Sequence, residues 1–288
     1  YDTEGKPVIN RKYLCAAFDY EYDSRGNRTD IWYRDRSGEI MIRPDLGYAH
    51  ERSEYDDRGN LIKRLYYDKE DCLTLAKESG IAYFENENEE NGNCRKRTCY
   101  GKNRQIKCRK DEGYAVVKFA YDEYGRTSQT RYYGVDGKTP VLNPQYHCAG
   151  FLYEYEYDAA GYKETTKYMG LEEGELMIRE DLGYAQQVVM TIYDSNNNRE
   201  IKTGFFLDTD GMPTAKAESG YMGYEDTYVC GKWVKGQCYL YFWDNDVWYR
   251  GLMRRHDKGY ATIIINFDSF GQCISESYFD ASDHAVCC

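Results

Sequence analysis

Tyr22-Asp23-Ser24-Arg25-Gly26-Asn27 returns 33 positions later as Tyr55-Asp56-Asp57-Arg58-Gly59-Asn60, and clearer or degenerate copies are centred near 88, 121, 157, 193, 232 and 267. The spacings are 33, 33, 33, 36, 36, 39 and 35 residues. Self-similarity at such a period marks an array of one small supersecondary unit, each copy contacting mainly its neighbours. Residues 1–288 are therefore expected to form a single continuous repeat array, with later insertions falling in loops at the strand ends.

The unit is clearest between 113 and 143. Gly113-Tyr114-Ala115 opens a run to Tyr121-Asp122, and Glu123-Tyr124-Gly125-Arg126 turns the chain. A second run reaches Tyr132-Tyr133, and Asp136-Gly137-Lys138 with Pro140 turns it again. Gly, Asp and Asn at these places supply turn geometry between β-rich runs, and the recurring Asp reads as a turn cap accepting backbone N–H groups. Ala115, Val117, Phe119 and Tyr121 alternate onto one face. Ala261, Ile263, Ile265 and Phe267 hold the same four places in the eighth unit, so both sets are core positions with the signature Tyr pointing inward. Phe18, Tyr20 and Tyr22, and Phe151, Tyr153, Tyr155 and Tyr157, are aromatic versions of the same row. The fold class is all-β, an array of about eight β-hairpin repeats of roughly 35 residues, as an open solenoid or a curled sheet.

The second strand ends in an aromatic pair in most units: Trp32-Tyr33, Tyr66-Tyr67, Tyr132-Tyr133, Phe205-Phe206 and Tyr278-Phe279. Adjacent strand residues point to opposite faces, so one ring packs inside and the other lines the surface. Tyr33, Tyr67 and Tyr133 are taken as the outward, binding members. The seventh unit departs furthest, with Trp233, Tyr239, Tyr241, Phe242, Trp243, Trp248 and Tyr249 in a short span, either an overfilled core or a stacking platform. The third unit carries Arg95, Lys96, Arg97, Lys102, Arg104, Lys107, Arg109 and Lys110 without an acid, directly after the acidic run 85–90. That is a solvated face neutralised by its neighbour, or an anion site in which Arg95 and Arg97 would take part.

The chain has 32 Tyr and 26 Gly against 10 Phe and 5 Pro, so tyrosine is its main packing residue. A ring with a wet hydroxyl suits a structure too thin for a dry core. A net charge of -11 excludes a general nucleic-acid binder, which needs a basic face. No run reaches the roughly 18 apolar residues of a membrane span, so no membrane insertion is expected in this fragment. The opening Tyr1-Asp-Thr-Glu-Gly-Lys-Pro-Val-Ile-Asn10 matches Tyr133-Gly-Val-Asp-Gly-Lys-Thr-Pro-Val-Leu-Asn143, as expected of a stretch cut from a longer array.

Among 11 Cys, Cys94, Cys238 and Cys273 each follow a turn Gly by two residues. Structural disulfides or buried thiols are expected, with Cys238–Cys273 or Cys230–Cys238 as exclusive alternatives, and extracellular residence follows if such bonds form. The spacing Cys94-x4-Cys99-x8-Cys108 lacks a paired His, and no metal is expected; Asp208-Thr-Asp210-Gly211 and Asp244-Asn-Asp246 only partly resemble calcium loops. His50, His147, His256 and His284 occupy unrelated repeat positions and read as surface histidines. No nucleophile elbow, P-loop or metalloprotease spacing occurs, so neither an enzyme nor a cofactor is expected.

Tyr20-Glu-Tyr22-Asp23-x-x-Gly26 and Tyr153-Glu-Tyr-Glu-Tyr157-Asp158-x-x-Gly161 resemble the YD signature of the Rhs family, whose hairpins wind into a shell. The Gly-Tyr-Ala and Asp-Gly-Lys-Pro elements look like repeat arrays of Firmicute surface proteins, similar in style to choline- and glucan-binding repeats. The resemblance implies a non-enzymatic, extracellular or cell-surface bacterial module that binds glycan or a cell-wall polymer through a Tyr-rich face. The alternative is a structural spacer, shell or fibre former that self-associates into an assembly.

Overall fold

The computed structural model describes residues 7–159, 161–196, 198–244 and 247–287, and the side chains of residues 242–249 lie outside that description. All its strands pair antiparallel, and the described residues contain no helix. The eight expected hairpins are present: β1 (Ala17–Tyr22) with β2 (Arg28–Arg34), β3 (His50–Tyr55) with β4 (Leu61–Tyr67), β5 (Tyr83–Asn88) with β6 (Cys94–Tyr100), and β7 (Val116–Tyr121) with β8 (Thr127–Tyr133). Then come β9 (Gly150–Tyr157) with β10 (Gly161–Met169), β11 (Gln186–Asp194) with β12 (Arg199–Leu207), and β13 (Gly223–Val229) with β14 (Lys232–Asp244). An extra strand β15 (Val247–Leu252) precedes the last pair, β16 (Thr262–Phe267) with β17 (Cys273–Phe279).

The signature makes the hairpin tip. In Tyr22–Asn27 the Gly26 amide donates to the Asp23 carbonyl (3.0 Å), and the Asp23 amide donates to the Asn27 carbonyl (2.9 Å). The Asp23 carboxylate accepts the amides of Arg25 and Asn27, both at 2.9 Å. Asp56 and Asp122 repeat the arrangement, so the Asp is the turn cap expected of it. The expectation for the signature Tyr is corrected. Tyr22 and Tyr157 are exposed, and the Tyr55 and Tyr121 hydroxyls donate to the backbone carbonyls of Arg28 and Cys94 in the preceding hairpin. Burial fades along each strand toward the tip: Ala115 and Val117 are buried, while Phe119 and Tyr121 are half-buried.

The core lies at the other end, where a return turn delivers the next hairpin. Each return turn places one residue in the left-handed region: Leu14, Gly47, Gly80, Gly113, His147, Gly183, Gly220 or Gly259. A buried residue follows, such as Tyr48, Ile81, Tyr114, Cys148 or Tyr184, and then in nearly every unit an alanine. Ala49, Ala82, Ala115, Ala149, Ala185 and Ala261 are completely buried. Their amides join neighbouring strands, as Ala115 N–H does to the Tyr133 carbonyl (2.9 Å), and Met222 makes the equivalent bond in the seventh unit (2.8 Å).

The return turns alternate in chemistry. Arg43-Pro-Asp45, Arg109-Lys-Asp111, Arg179-Glu-Asp181 and Arg255-His-Asp257 each carry a bidentate Arg–Asp pair, with the shorter contact at 2.5–2.6 Å. Their guanidiniums pack over tyrosine rings, Arg43 on Tyr33 (4.9 Å) and Arg179 on Tyr168 (4.9 Å). The intervening units have Asn10, Ala76, Asn143 and Lys216 instead. Asn10 and Asn143 cap similar turns with their side-chain oxygens, and Glu78-Ser79-Gly80 recurs as Glu218-Ser219-Gly220. The chain therefore repeats every hairpin in outline and every four hairpins in detail.

Its contacts group into two units, Tyr1–Gly150 and Phe151–Cys288. Neither ladder closes on itself within the described pairings, since β1 pairs only with β2 and β17 only with β16. In the first unit neighbouring hairpins share short ladders, such as Asp30–Trp32 against His50–Arg52, and every hairpin has a β-bulge just before its tip. Bulges add local twist and separate the tips. In the second unit β11 and β12 have no bulge and their ladder runs the full length, Gln186–Asp194 against Arg199–Leu207.

Candidate functional site

The structure scatters the residues taken from the sequence as binding positions. Tyr33 is a correction: it is 4% exposed and packs with Ile31, Tyr48, Cys15 and Ala76, and burial pushes its hydroxyl up to about 12. The error is one of register, because Tyr33 is the counterpart of Tyr66 and Tyr132, and a slip of one residue reverses the face. Tyr67 and Tyr133 are half-buried under cations, Tyr67 beneath Arg52 (5.7 Å) and Tyr133 beneath Lys118 (4.3 Å). Trp233 lies inside its own hairpin opposite Tyr228 and donates its indole N–H to Asp226 (3.0 Å), whose carboxyl burial pushes up. The side chains of Trp243, Trp248 and Tyr249 lie outside the described residues; their backbones sit on β14 and β15, with Trp243 opposite Trp248.

Arg95 pairs with Glu87 (2.9 Å), and Arg97 donates to Asn86 (2.9 Å) while lying over the Phe84 ring (4.3 Å). Glu87 of the acidic run thus neutralises Arg95, while Arg97 is held by a neutral amide and a ring. His50 is buried, not at the surface: its ring lies between Trp32 (4.5 Å) and Tyr67 (5.1 Å), with one nitrogen on Asp30 (2.8 Å) and the other on Asp71 (3.1 Å). Asp71 takes a left-handed backbone (φ 58°) at the place where the first unit has Gly38. This closed cluster is a packing device specific to the second hairpin.

The described cysteines are free thiols, which corrects the disulfide expectation. Gly231, not Gly236, makes the seventh turn, so Cys230 sits at the tip while Cys238 lies opposite Tyr224 at the far end of the ladder. Six residues at ~3.3 Å each separate Tyr224 from Cys230, far beyond the ~7 Å Cα reach of a disulfide. Cys273 is likewise at its tip opposite Phe267, whereas the Cys238 amide bonds Ala261 at the base. Asp208 spends its carboxylate on the amides of Asp210 and Met212 as a turn cap. No acid, Cys or His cluster suited to a metal occurs among the described residues.

Exposed rings gather instead on the fifth and sixth hairpins. Tyr162 stands opposite Thr191 in the β10–β11 ladder, which brings Tyr157, Tyr162 and Tyr193 together across three strands. Tyr157 stacks on Tyr162 (5.8 Å, 27°) and Tyr162 meets Tyr193 at 6.4 Å. Tyr157 is 61% and Tyr193 54% exposed, so the belt presents ring faces to water. It extends to β12 and β13 through Lys202, which pairs with Glu200 (3.0 Å) and lies over Tyr228 (5.2 Å). Desolvation and the neighbouring Tyr162 hold the Tyr193 hydroxyl above its ordinary value.

Beside the rings is a cleft of about 270 Å³ lined by Tyr157, Tyr162, Thr191, Lys163 and Glu156 among others. Lys163 and Glu156 pair at 2.7 Å. Thr191 is 1% exposed, and its Oγ1 has no hydrogen-bond partner among the described residues. Thr191 is thus a packed floor residue of the cleft, and the rings and the ion pair form its accessible wall. Ring faces and one ion pair line the accessible part of the cleft. Sequence reasoning placed Tyr157 in an inward row and did not single out Tyr162, Thr191 or Tyr193; the clue was Tyr153-Glu-Tyr-Glu-Tyr157 next to Gly161-Tyr162, which needs the β10–β11 register to become a surface.

No family model and no curated protein matches this sequence. Among solved structures, the chain is similar to the Tc holotoxin pore of Photorhabdus luminescens, with 10% identity over 95% of this chain and a TM-score of 0.23. The chain spans 15% of that one.

Proposed function

We propose that this chain is a non-enzymatic hairpin-repeat module of a bacterial surface protein, and that it holds a glycan or cell-wall polysaccharide against the tyrosine belt of its second unit. The observation that carries the reading is the exposed Tyr157–Tyr162–Tyr193 stack with the Glu156–Lys163 ion pair in the cleft beside it. Sugar rings stack on aromatic faces, hydroxyls of the ligand reach Glu156 and Lys163, and repeated weak contacts along a polymer give avidity. Residence outside the cell belongs to the proposal and is tested by protease or biotin access on intact cells. Calorimetry with a panel of cell-wall polysaccharides tests binding. Tyr157→Ala and Tyr193→Ala are expected to abolish the heat of any ligand found, and a panel that binds wild type and both variants alike overturns the assignment.

A second reading, scaffold only, is favoured for the first unit by the use of its tips. Arg25 donates to the Asp56 carbonyl (3.1 Å) and to that of Asp57 in the next tip, and Arg58 donates to the Glu90 carbonyl one tip further on. Tips committed to each other in this way serve stacking. Light scattering at rising concentration separates a spacer, which stays monomeric, from a fibre former.

A further inference from the structure

In seven hairpins the second strand runs into a tight turn and a single bridge, such as Leu207 with Pro213. In the seventh, β14 runs on to Asp244 and returns as β15, with Tyr239–Asp244 opposite Val247–Leu252. The insertion noted in the sequence is therefore a two-stranded finger. It borders a pocket of about 440 Å³, within the ~300–1,000 Å³ range of small-ligand sites. Met190, Phe205, Leu207 and Pro213 form its apolar side, and Tyr241 and Arg250 of the finger form the other. The Phe205 and Tyr241 rings meet at 6.3 Å and 60°. Gly223 makes room for this: a Cβ there would lie 2.6 Å from the Tyr241 ring.

The polar lining is sparse and one-signed. Besides the Thr203 and Tyr241 hydroxyls, the described lining offers a single charge, the Arg250 guanidinium. It is held at the rim from behind, over the Tyr239 ring (4.4 Å) and by Glu225 (3.1 Å), so it does not fold down onto Leu207. The bond to Glu225 uses Nη2 and a further bond reaches the Tyr241 hydroxyl; a guanidinium carries five N–H donors, which leaves others for a ligand.

We propose that this pocket binds a small amphipathic acid, with an apolar ring or acyl body among Met190, Phe205, Leu207 and Pro213 and a carboxylate or sulfonate on Arg250. The body gains from leaving water, and the head meets a cation already positioned and partly dehydrated. The pocket shares Met190 with the cleft beside the tyrosine belt, but its charged contact, Arg250, is not part of that cleft, and the proposal does not rest on glycan binding.

The probes are anilinonaphthalene sulfonate and its neutral relative N-phenyl-1-naphthylamine, titrated by fluorescence into the full chain. Saturable binding of both at a single site is expected. Leu207→Trp, which fills the pocket, is expected to remove both, and Thr203→Trp serves if the first variant loses its far-ultraviolet circular dichroism. Arg250→Gln is expected to weaken the sulfonate about tenfold while leaving the neutral amine unchanged, the scale of one charge-assisted hydrogen bond. Binding that survives both filling variants overturns the site, and equal loss of both probes in Arg250→Gln overturns the assignment of the acid.

Discussion

The Asp136 carboxylate accepts the Thr139 hydroxyl and the amides of Lys138 and Thr139, so the turn holds the ionised form and its pKa falls to about 2. Asp23 and Asp56 are held low in the same way, first by the side-chain amides of Asn27 and Asn60 and then by turn N–H groups. A carboxyl lower in the folded than in the unfolded chain, where ~3.9 is usual, contributes stability that is complete above about pH 4 and lost as pH falls toward 2. Urea midpoints measured downward through that window are expected to fall. Asp136→Asn keeps a capping oxygen without a titrating proton, so its curve should be flatter; an unchanged slope would show that these turns do not set acid stability. The thiols divide by burial. Desolvation pushes Cys99 and Cys238 up to about 12, whereas Cys72 and Cys273 are exposed. Native protein treated with a thiol reagent at about pH 8 should label Cys72 and Cys273 along with the other exposed thiols, Cys230 and Cys287, and Cys99 and Cys238 should label only after unfolding. The Asp caps were legible from sequence because their partners are two to four residues away. Thiol burial was not, since a cysteine's neighbours come from other hairpins.

At the scale of the element, the return turn decides where the hairpins join. Arg109 pairs with Asp111 at 2.6 Å and with Glu112 at 2.9 Å, with little exposure of either partner, and lies over Tyr114. Arg109→Ala leaves Asp111 without its bidentate partner and Tyr114 without its cover, and is expected to cost about 2–3 kcal/mol by urea unfolding. Ala76 occupies the equivalent place one unit earlier, so the turn itself should survive; a loss below about 0.5 kcal/mol would reduce the pair to a surface ion pair. The Arg-x-Asp spacing was in plain view but falls in alternate units, and a comparison at a period of one hairpin averages it away. The strands themselves were readable, because a two-residue alternation between Gly- and Asp-rich turns has few other solutions.

At the scale of the whole molecule, protection should follow the gradient of burial and not the order of the chain. Hydrogen exchange is expected to be slowest at the buried alanine amides, Ala82, Ala115, Ala185 and Ala261, which join neighbouring strands, and fastest at tip residues such as Ser24 and Glu123. Uniform protection from base to tip would contradict the placement of the core. An array stabilised by nearest-neighbour contacts need not unfold in a single step, so the two units Tyr1–Gly150 and Phe151–Cys288 provide natural boundaries for separate transitions in such data.

The sequence by itself determined the all-β class, the eight hairpins and the work of Asp in the tips, because each rests on local spacing and turn chemistry; it set the seventh centre a few residues late, at Gly236 in place of Gly231. Tertiary structure alone decided which aromatic of each pair faces inward, and Tyr33 shows how one residue of register reverses the answer. It also decided that the cysteines of the seventh and eighth hairpins stand at opposite ends of their ladders. The tyrosine belt and the finger pocket exist only because strands from different repeats bring Tyr157, Tyr162 and Tyr193, or Phe205 and Tyr241, within a few ångströms. Spacing along one strand specifies a face; which residues of different strands meet on that face is set by cross-strand register, which a repeat carries without spelling out.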